Sequence, residues 1–526
     1  MSGINALGNA LLMVFNNQFG SEIAIAMHQI AQGNDIGKVF RLQLAVGNAQ
    51  IVHNSCLEGL EFETYLAILA ARIAVMNRLN MYDPLHERSP GCGEPYPESY
   101  WADHAGPAPA DDGVLMHDLT VDVVIIGAGY TGLSAAYHLA TEHGVQAVVL
   151  EANQLAWGCS GRNAGFVLRS SGRKPYAEMQ KQWGESVMRG VYHEFCQGVD
   201  LVKSMIDKGI DCDRQDPGYL RMAHKPSMVK TLQAQADLLH RTFGSDVELL
   251  TQQQVRSQYV DDQQSFGALR FADGFGVNPL KLAYGYQRLA RAAGARIHTA
   301  SPVLNWTTEG RTQILHTPNA TVRAKKVILA TNGYTPKHFH QGVQARTLPV
   351  LSQIIVTEPL NSAQLAATNF QTSHVVMDTR ALKYYYRKLP DNRLLFGGRG
   401  AITGKDAADP YYADRLLQVL KLSFPALQTL RYDYQWSGWI CMSLDDIPHI
   451  HQADPFGDVV YSMGYCGSGL AFSVQAGKRL AEKIMGLAQP DLPMFNRPLP
   501  KFPFAPLRRV GQWGYFHYGK WKDQWW

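Results

Sequence analysis

The chain has 526 residues, of which 46% are hydrophobic and 18% are charged, and its formal net charge is +4. This length allows two or three domains with substantial cores, and the small net charge argues against a nucleic-acid partner. The seven cysteines are odd in number and never stand in C-x-x-C spacing. That distribution argues against a disulfide framework and a zinc site, and it indicates a reducing, cytoplasmic compartment.

The first 80 residues carry helical apolar spacing in pieces but no recognisable chemical motif. Their apolar runs 11–15 and 66–76 are too short to span a membrane, and the start of the chain lacks the features of a signal peptide. We interpret residues 1–80 as a dispensable extension, such as an upstream mis-start; the alternative is a helical partner-binding segment. Residues 81–117 are rich in Pro and Gly and predict an extended arm.

A dinucleotide-binding unit follows the arm. The β-branched run 123–126 predicts a buried strand, an apolar helix follows it, and a second strand over 147–150 ends on Glu151. The turn between strand and helix has the pattern G-x-G-x-x-G, and its residues are Gly127, Gly129, Tyr130, Thr131 and Gly132. Such a turn lets a pyrophosphate approach the backbone at the helix N-terminus, while Glu151 can accept hydrogen bonds from an adenosine ribose.

A polar, glycine-dense loop comes shortly after Glu151. It contains Gly158, Ser160, Gly161, Arg162, Asn163, Ala164 and Gly165. A flavin ring lies against backbone and short polar side chains of this kind, whereas an NAD-binding unit does not need such a loop. In this segment the chain resembles the FAD-dependent amine and amino-acid oxidoreductases of the D-amino-acid oxidase superfamily, in which a G-x-S-G-R-N-(A/G)-G segment cradles the flavin. The resemblance implies FAD as the cofactor.

The apolar spacing after this loop predicts further elements in chain order. Helices are predicted over 174–209, 279–293 and 473–485, and strands over 210–213, 219–222, 268–271, 353–357, 384–389 and 394–398. The aromatic segment 491–526 forms a C-terminal tail, which we expect to pack on the cofactor-binding domain rather than to touch a membrane surface.

Three more segments match the superfamily in its order, so that the resemblance covers residues from about 95 to 526. They are a buried strand ending in A-T-x-G, a W-S-G turn and a G-Y-C-G-S-G loop. The positions that by resemblance contact FAD are Val303, Gly333, Gly438, Gly464, Gly467, Ser468 and Gly469. In the last loop, Cys466 and Ser468 replace the Ser and His that are usual in relatives, so this loop lacks their imidazole.

The resemblance also implies the fold. We expect an α/β, two-dinucleotide-binding-domain (glutathione-reductase-like) FAD fold with an inserted α+β substrate domain built on an antiparallel sheet. We assign residues 118–209, 276–345 and 436–490 to the FAD-binding domain and residues 210–275 and 346–435 to the substrate domain.

The activity implied by the resemblance is removal of a hydride from the carbon next to nitrogen of a small amine or an amino or imino acid, which gives an imine. Substrates such as gamma-glutamylputrescine or L-pipecolate are expected, with oxygen, a quinone or another electron acceptor. The flavin carries out the hydride step, so we assign no catalytic residue. The substrate-binding candidates are Tyr385, Tyr386, Arg387 and Arg399, since an arginine fork suits a carboxylate; a sheet-surface ion pair explains either arginine equally well.

The same motifs also fit other functions. A sarcosine- or glycine-type oxidoreductase is the nearest, and a flavin domain that modifies tRNA or an NAD-linked dehydrogenase is more distant. We interpret Cys441 and Cys466 as inert small hydrophobes rather than as points of covalent flavin attachment. No metal site is expected, because His449 and His451 show no carboxylate companion in the sequence.

Overall fold

The computed structural model of the protein describes residues 81–525 and, before them, two short strands that pair antiparallel. Residues 81–525 all belong to one compact unit, the second of the two into which the chain divides. Apart from the two short strands, the segment interpreted above as a dispensable extension lies outside the described residues.

The strands are numbered in chain order. They are β1 (Gln43–Val46), β2 (Ala49–Val52), β3 (Leu119–Ile126), β4 (Val148–Leu150), β5 (Phe166–Val167), β6 (Tyr219–Met222), β7 (Val247–Thr251), β8 (Gly267–Phe271), β9 (Phe275–Gly276), β10 (Arg296–His298), β11 (Asn305–Glu309), β12 (Thr312–His316), β13 (Thr321–Leu329), β14 (Leu348–Thr357), β15 (Val375–Asp378), β16 (Tyr385–Lys388), β17 (Leu394–Arg399), β18 (Tyr432–Met442), β19 (His449–Gln452) and β20 (Val459–Met463).

The α-helices are numbered in the same way. They are α1 (Tyr100–His104), α2 (Tyr130–His143), α3 (Tyr176–Trp183), α4 (Glu185–Ile206), α5 (Pro226–Phe243), α6 (Gln252–Gln258), α7 (Pro279–Ala292), α8 (Ser362–Thr368), α9 (Pro410–Ser423), α10 (Gly469–Ile484), α11 (Pro493–Asn496) and α12 (Arg508–Trp525).

The first sheet contains the predicted dinucleotide-binding strands. Strands β10, β4, β3 and β13 are parallel neighbours in that order, and β20 pairs parallel with the C-terminal half of β13. The antiparallel strands β11 and β12 continue from the N-terminal half of β13. Val124 and Ile125 in β3 are fully buried, as a central parallel strand covered on both faces requires. The carboxyl ends of β3, β4, β13 and β20 therefore meet at one edge.

Helix α2 begins at the carboxyl edge of the first sheet and packs against α10. Leu133, Ala136 and Leu139 of α2 are fully buried. The two helices approach so closely that a Cβ atom added to Gly477 in α10 would lie 2.5 Å from the Thr131 carbonyl oxygen. Small residues at this crossing hold the N-terminus of α2 in place at the end of β3.

The second sheet has eight strands in the order β18-β14-β17-β16-β15-β6-β8-β7. Its pairs are antiparallel except β15 and β6, which run parallel. Both chain segments assigned to the substrate domain contribute strands to it. However, β18 continues to Met442 and so crosses the boundary placed at residue 436; the division into domains as such stays a prediction.

Two predicted elements differ from those observed. The predicted helix over 174–209 is divided into α3 and α4 by Gly184, whose φ of +85° lies outside the helical region. Residues 210–213 form no strand. The Cys212 carbonyl instead accepts a hydrogen bond from the Asn278 amide at 2.7 Å, so this segment is fixed beside the start of α7 rather than in a sheet.

The tail behaves differently in its two halves. Leu492, Met494 and Phe495 are buried in the same core as α2 and α10, in agreement with the expectation. Helix α12 instead lies against the second sheet, where Arg508 donates to the Thr347 carbonyl and Arg509 to that of Pro349. The first half of the tail therefore packs as expected, whereas α12 also contacts the second sheet.

Neither a bilayer-spanning helix nor a metal-binding cluster is found in the part of the chain that the structure describes. No helix among residues 81–525 combines the length and apolarity that a membrane crossing needs. No three His, Cys, Asp or Glu side chains in that range are grouped so that they could hold a metal ion.

Candidate active site

One long cleft of about 400 Å³ runs from the carboxyl edge of the first sheet to the face of the second. Ile126, Glu151 and Ala330, at the ends of β3, β4 and β13, line its first part, and Tyr385 and Arg399 of the second sheet line its far part. Ligands of open parallel sheets bind at this edge of the strands. The cleft therefore connects a nucleotide-binding edge with a second, antiparallel surface.

The glycine turn after β3 is closed by contacts that exclude side chains. Gly127 has φ +105°, and a Cβ atom on Gly132 would lie 1.9 Å from the Gly127 carbonyl oxygen. Gly129 caps α2 without any side-chain hydrogen bond, while the Tyr130 amide donates to Ser160 Oγ at 3.1 Å. The N-terminus of α2 lies at the cleft and carries the partial positive charge that favours a phosphate.

Glu151 lies at the same end of the cleft. Its Oε2 atom accepts from the Ala128 amide at 2.8 Å, and its Oε1 atom accepts from the Asn153 amide at 3.1 Å. Burial raises the pKa of this carboxyl group, and the backbone amides act in the opposite direction. Among the described residues that line the cleft, Glu151 is the one with a carboxylate.

The polar loop after β4 is held rigid by its own side chains. Arg162 Nε donates to the Trp157 carbonyl at 2.8 Å, and the guanidinium stacks 4.5 Å from the centre of the Trp157 ring. The Asn163 amide group donates to the Cys159 and Ser160 carbonyls, and its oxygen accepts from the Gly165 amide at 2.8 Å. Burial lowers the pKa of Arg162, whose contacts show that it shapes the loop as well as lining the cleft.

Most of the predicted cofactor residues line this cleft. They are Gly127, Gly129, Tyr130, Thr131, Glu151, Gly158, Ser160, Arg162, Asn163, Ala164, Val303, Gly333, Gly438, Gly467, Ser468 and Gly469. Gly132, Gly161, Gly165 and Gly464 do not line it. They act on the backbone path instead: a Cβ atom on Gly165 would lie 2.0 Å from the Val277 carbonyl oxygen, and one on Gly161 would lie 2.6 Å from that of Ala156.

The four predicted substrate residues separate into two groups. Tyr385 and Arg399 line the cleft, whereas Tyr386 and Arg387 do not. Tyr386 lies on the opposite face of β16, because side chains alternate along a strand, and its hydroxyl donates to Asp262 Oδ2 at 2.7 Å. It packs there with Phe396 and Phe424 in the core of the second sheet.

Arg387, predicted as a carboxylate ligand, is buried outside the cleft. Its side chain is 1% exposed and donates to Gln215 Oε1 and to the Val277 carbonyl, each at 2.6 Å. A Cβ atom on Gly276 would lie 2.1 Å from its Nη1 atom, so the backbone of Gly276 lies directly against the guanidinium. Burial lowers the pKa of Arg387 to about 9. It is neither a carboxylate fork in the cleft nor half of a sheet-surface ion pair.

At the second-sheet end of the cleft, Tyr385 and Arg399 have contrasting surroundings. The Tyr385 and Ser352 hydroxyls are 2.7 Å apart, and burial raises the pKa of Tyr385 to about 12. The half-buried Arg399 guanidinium makes no hydrogen bond or ion pair with any side chain or backbone group of residues 81–525. A cation that lines a cleft without such a partner is available to an anionic ligand.

Five residues that the sequence did not single out complete this end. They are Arg173, Arg380, Lys383, Tyr515 and Lys522. They come from a loop after β5, a turn after β15 and helix α12, and no spacing in the sequence links those three segments. Burial, together with the charges of Arg221, Arg399 and Arg173, lowers the pKa of Lys383 to about 7. The Lys383 amine is therefore able to change its protonation state near neutral pH.

Sulfur atoms reach the cleft from the loop after β4, from β18 and from the loop after β20. Cys159, Cys441 and Cys466 line it, and Cys466 has φ +53°. The Cys466 thiol lies 3.1 Å from the Gly464 carbonyl oxygen and 3.3 Å from Ser443 Oγ. Burial raises the pKa of Cys466 to about 11 and also raises that of Cys441, so both remain thiols at neutral pH.

His449 has a carboxylate neighbour after all. Its Nε2 atom lies 2.9 Å from Asp445 Oδ2, and its Nδ1 atom lies 3.0 Å from the Arg497 carbonyl oxygen. The pair lies four residues apart in the sequence, across the turn before β19, and His449 is buried. Both ring nitrogens of His449 have partners within the protein, and the residue does not line the cleft. We therefore assign His449 a structural role.

Comparison with known proteins adds the family context. A family profile described as FAD dependent oxidoreductase (DAO) matches residues 122–483. Gamma-glutamylputrescine oxidoreductase of Escherichia coli (strain K12) is 35% identical over 423 residues, which are 78% of this chain and 94% of that protein. A probable oxidoreductase OrdL of Haemophilus influenzae is 32% identical over 69% of this chain and 83% of its own length.

Solved structures show the same fold. Glycine oxidase from Bacillus cereus superposes with a TM-score of 0.57 at 18% identity, over 70% of this chain and 96% of that chain. L-proline dehydrogenase from P. horikoshii superposes with a TM-score of 0.59 at 18% identity, over 72% of this chain and 96% of its own. The predicted α/β FAD fold with its inserted substrate domain is thereby confirmed.

Proposed function

Because this chain belongs to the family of FAD dependent oxidoreductases, we propose that its cleft holds FAD beside a small amine or amino-acid substrate, from which a hydride is removed at the carbon next to nitrogen. Gamma-glutamylputrescine is the substrate that we put first, since the relative with that activity in its name matches 78% of the chain. L-pipecolate is the other compound suggested by the sequence motifs.

The residues present fit FAD. The turn at Gly127 and Gly132 has no room for side chains, the N-terminus of α2 lies at the cleft, and Glu151 stands at the end of β4 where ribose hydroxyls would be held. Val303 and Pro302 would lie beside the adenine, and the loop from Gly158 to Ala164, with Gly438 and the loop from Gly467 to Gly469, would surround the flavin. FAD supplies a hydride acceptor when it is bound.

The single observation that carries the proposal is the continuity of the cleft. One cavity joins the nucleotide-binding edge to the wall formed by Tyr385 and Arg399, so a cofactor and a small substrate can lie end to end. The antiparallel sheet supplies a substrate surface, and positioning of the substrate against the cofactor is the contribution that this wall makes to the rate.

The protonation of the amine is the remaining requirement. The amine of the substrate must be neutral when it reacts, because the nitrogen lone pair drives the hydride away from the adjacent carbon. We assign the uptake of that proton to Nζ of Lys383, which lines the cleft and has a pKa of about 7. The Cys441 and Cys466 thiols and the engaged Tyr385 hydroxyl are given no proton-transfer role.

The test is reduction of the bound flavin under anaerobic conditions, monitored through the visible absorbance of the flavin. A panel of gamma-glutamylputrescine, L-pipecolate, sarcosine, glycine and proline separates the candidate substrates, and bleaching by one of the first two supports the proposal. Bleaching by sarcosine or glycine alone would favour the sarcosine- or glycine-type alternative. Admitting air to the reduced enzyme then shows whether oxygen or another acceptor, such as a quinone, takes the electrons.

A yellow protein that no amine in the panel bleaches would contradict the proposed substrate class. The tRNA-modifying alternative would then be tested by a salt-sensitive shift with tRNA. A cytoplasmic location, suggested by the scattered cysteines, stays a prediction alongside these.

A further inference from the structure

Helix α12 forms one wall of the cleft at the end where Tyr385 and Arg399 lie. Tyr515 and Lys522 of this helix line the cleft, although they lie more than a hundred residues after Arg399 in the chain. Gly519 fits against Leu382, where a Cβ atom would lie 2.9 Å from that side chain. The helix is therefore seated directly on the turn that follows β15.

Asp523 fixes that turn. Its two carboxylate oxygens accept hydrogen bonds from the Ala381 and Leu382 amides, at 2.7 and 3.1 Å. The turn carries Arg380 and Lys383, whose side chains line the cleft on either side of the two amides. One carboxylate of α12 thus sets the position of two cationic groups.

Tyr515 fixes a third cation. Arg173 Nη2 donates to the Tyr515 hydroxyl at 2.8 Å, and the guanidinium carbon lies 5.0 Å from the centre of the Tyr515 ring. Arg173 Nε donates to Asp446 Oδ1 at 2.9 Å. These contacts hold Arg173 near Arg399. The charges of Arg173 and Arg399 each lower the pKa of Lys383.

The balance of charge at this end is strongly positive. Arg173, Arg380, Lys383, Arg399 and Lys522 line the cleft here, and no carboxylate among the described residues lines it on this side. Asp446 and Asp378 each engage one arginine, and Asp523 faces backbone amides. The Arg399 guanidinium makes no hydrogen bond or ion pair within residues 81–525, so an anionic ligand would offset the positive charge that is held together here.

We propose that α12 completes a carboxylate-binding site at this end of the cleft, in which Arg399 is the principal ligand and Tyr515 and Asp523 are positioning residues. The inference rests on the proposed amine oxidation and adds the substrate class: an amine with a carboxylate remote from the carbon that is oxidised. Cleft residues from both sheets and the C-terminal helix then determine specificity together.

The first experiment compares two amines that share the reacting group. Gamma-glutamylputrescine carries a remote carboxylate, whereas 4-aminobutanoylputrescine keeps the amide, the chain length and both amino groups but lacks that carboxylate. Anaerobic reduction of the holoenzyme gives kcat/KM for each compound. We expect a preference for the carboxylate compound that falls about 10- to 100-fold in Arg399→Met, mainly through KM, since a hydrogen bond between charged groups is lost.

The positioning residues are tested on the same ratio. Tyr515→Phe keeps the ring but removes the hydroxyl that engages Arg173, and Asp523→Asn weakens the hold on the 380–383 turn; each should lower the preference several-fold. Lys520→Gln is the matched control, because Lys520 lies on the same helix and is exposed. Hydrogen exchange at the Ala381 and Leu382 amides should rise in Asp523→Asn and stay unchanged in the control.

A second readout separates this inference from the proposed function. Calorimetric titration of the holoenzyme with glutarate, a plain dicarboxylate, measures the site without turnover. Weaker glutarate binding in Arg399→Met supports the site even if no amine reduces the flavin, in which case the proposed function alone fails. Equal glutarate binding by wild type and variant, or an unchanged preference ratio, overturns the inference. If Arg399→Met lacks flavin, Arg399→Lys replaces it in both measurements.

Discussion

Asp83 and Arg509, 426 positions apart in the chain, form an ion pair of 2.7 Å whose side chains are 7% and 13% exposed. Arg509 also donates to the Pro349 carbonyl and stacks 4.7 Å from the Trp439 ring centre, while Asp83 accepts from the Gly404 amide. The pair therefore joins the extended arm, the second sheet and the helix that closes the cleft.

Arg509→Met should lower the thermal unfolding midpoint of the holoenzyme, because it leaves the Asp83 carboxylate buried without its countercharge. Removing one partner of a buried pair costs on the order of 3 kcal/mol. The double variant Asp83→Asn/Arg509→Met should recover part of the loss. Lys325→Ala breaks the exposed pair with Asp122, whose side chains are 78% and 70% exposed, and should leave the midpoint unchanged.

Gly132→Ala should abolish flavin binding. The added Cβ atom would lie 1.9 Å from the Gly127 carbonyl oxygen, which is backbone in the tight turn and has no room to move. The flavin-to-protein absorbance ratio of the purified variant measures the loss. Gly514→Ala serves as the comparison, because nothing lies within 4 Å of its Cβ position and alanine is favoured in a helix. A normal flavin content in Gly132→Ala would contradict the assignment of this turn.

The two adjacent tyrosines of β16 should respond differently to loss of the hydroxyl. Tyr386→Phe leaves the buried Asp262 carboxylate short of a donor and should destabilise the protein by about 1–3 kcal/mol with little change in kcat. Tyr385→Phe removes a hydroxyl at the cleft and should change the kinetics of flavin reduction more than the stability. Thermal unfolding and anaerobic reduction, measured on both variants, distinguish the two faces; a kinetic defect in Tyr386→Phe alone would reverse the assignment.

Lys383 should govern the acid limb of the pH profile for flavin reduction. The group must be deprotonated to accept a proton, so kcat/KM should rise as the pH passes through its pKa of about 7. Lys383→Met should lose that limb. Lys388→Met is the control, because Lys388 lies on β16 but donates to the Phe370 carbonyl outside the cleft. An unchanged limb in Lys383→Met would assign the ionisation to another group.

The same lysine makes a prediction about stability. Burial holds its pKa below the value of 10.5 for a free side chain, so the unfolded chain binds more protons than the folded one between about pH 7 and pH 10. The contribution of Lys383 to stability therefore becomes more favourable as the pH rises through this window. Lys383→Met should raise the unfolding midpoint near pH 7 and should have a smaller effect near pH 10.

The nucleotide end of the site was predictable because its signals are local. Its three motifs follow one another within 40 residues: the turn at Gly127, the acid at Glu151 and the loop around Asn163. Each glycine in them stands where the backbone has no room for a side chain or needs a positive φ, so the requirement can be predicted from the sequence. The substrate end depends on contacts between distant segments. Nothing near Tyr515 or Arg173 in the sequence indicates that they meet, because their meeting depends on where α12 is seated.

Arg387 shows a different limit. Its place in β16 could be predicted, and alternation correctly puts it on the same face as Tyr385. Whether that face is open at a given residue depends on what covers it, and here the backbone at Gly276 and the ring of Trp101 cover the guanidinium. Residues 210–213 illustrate the same point, since a segment with alternating apolar side chains becomes a strand only if a partner strand is placed beside it.

The parallel pairing of β6 with β15 has a consequence for how the chain is made. Tyr219 of β6 is paired with Val375, about 150 residues further along, so during synthesis β6 waits on the order of ten seconds or more for its neighbour. Strands β7 and β8 are available early, and the ribbon that they form with β6 has an unpaired edge until β15 emerges. An open edge of this kind is a site for association between nascent chains. Yield on expression should therefore depend on how fast the stretch between residues 222 and 375 is translated.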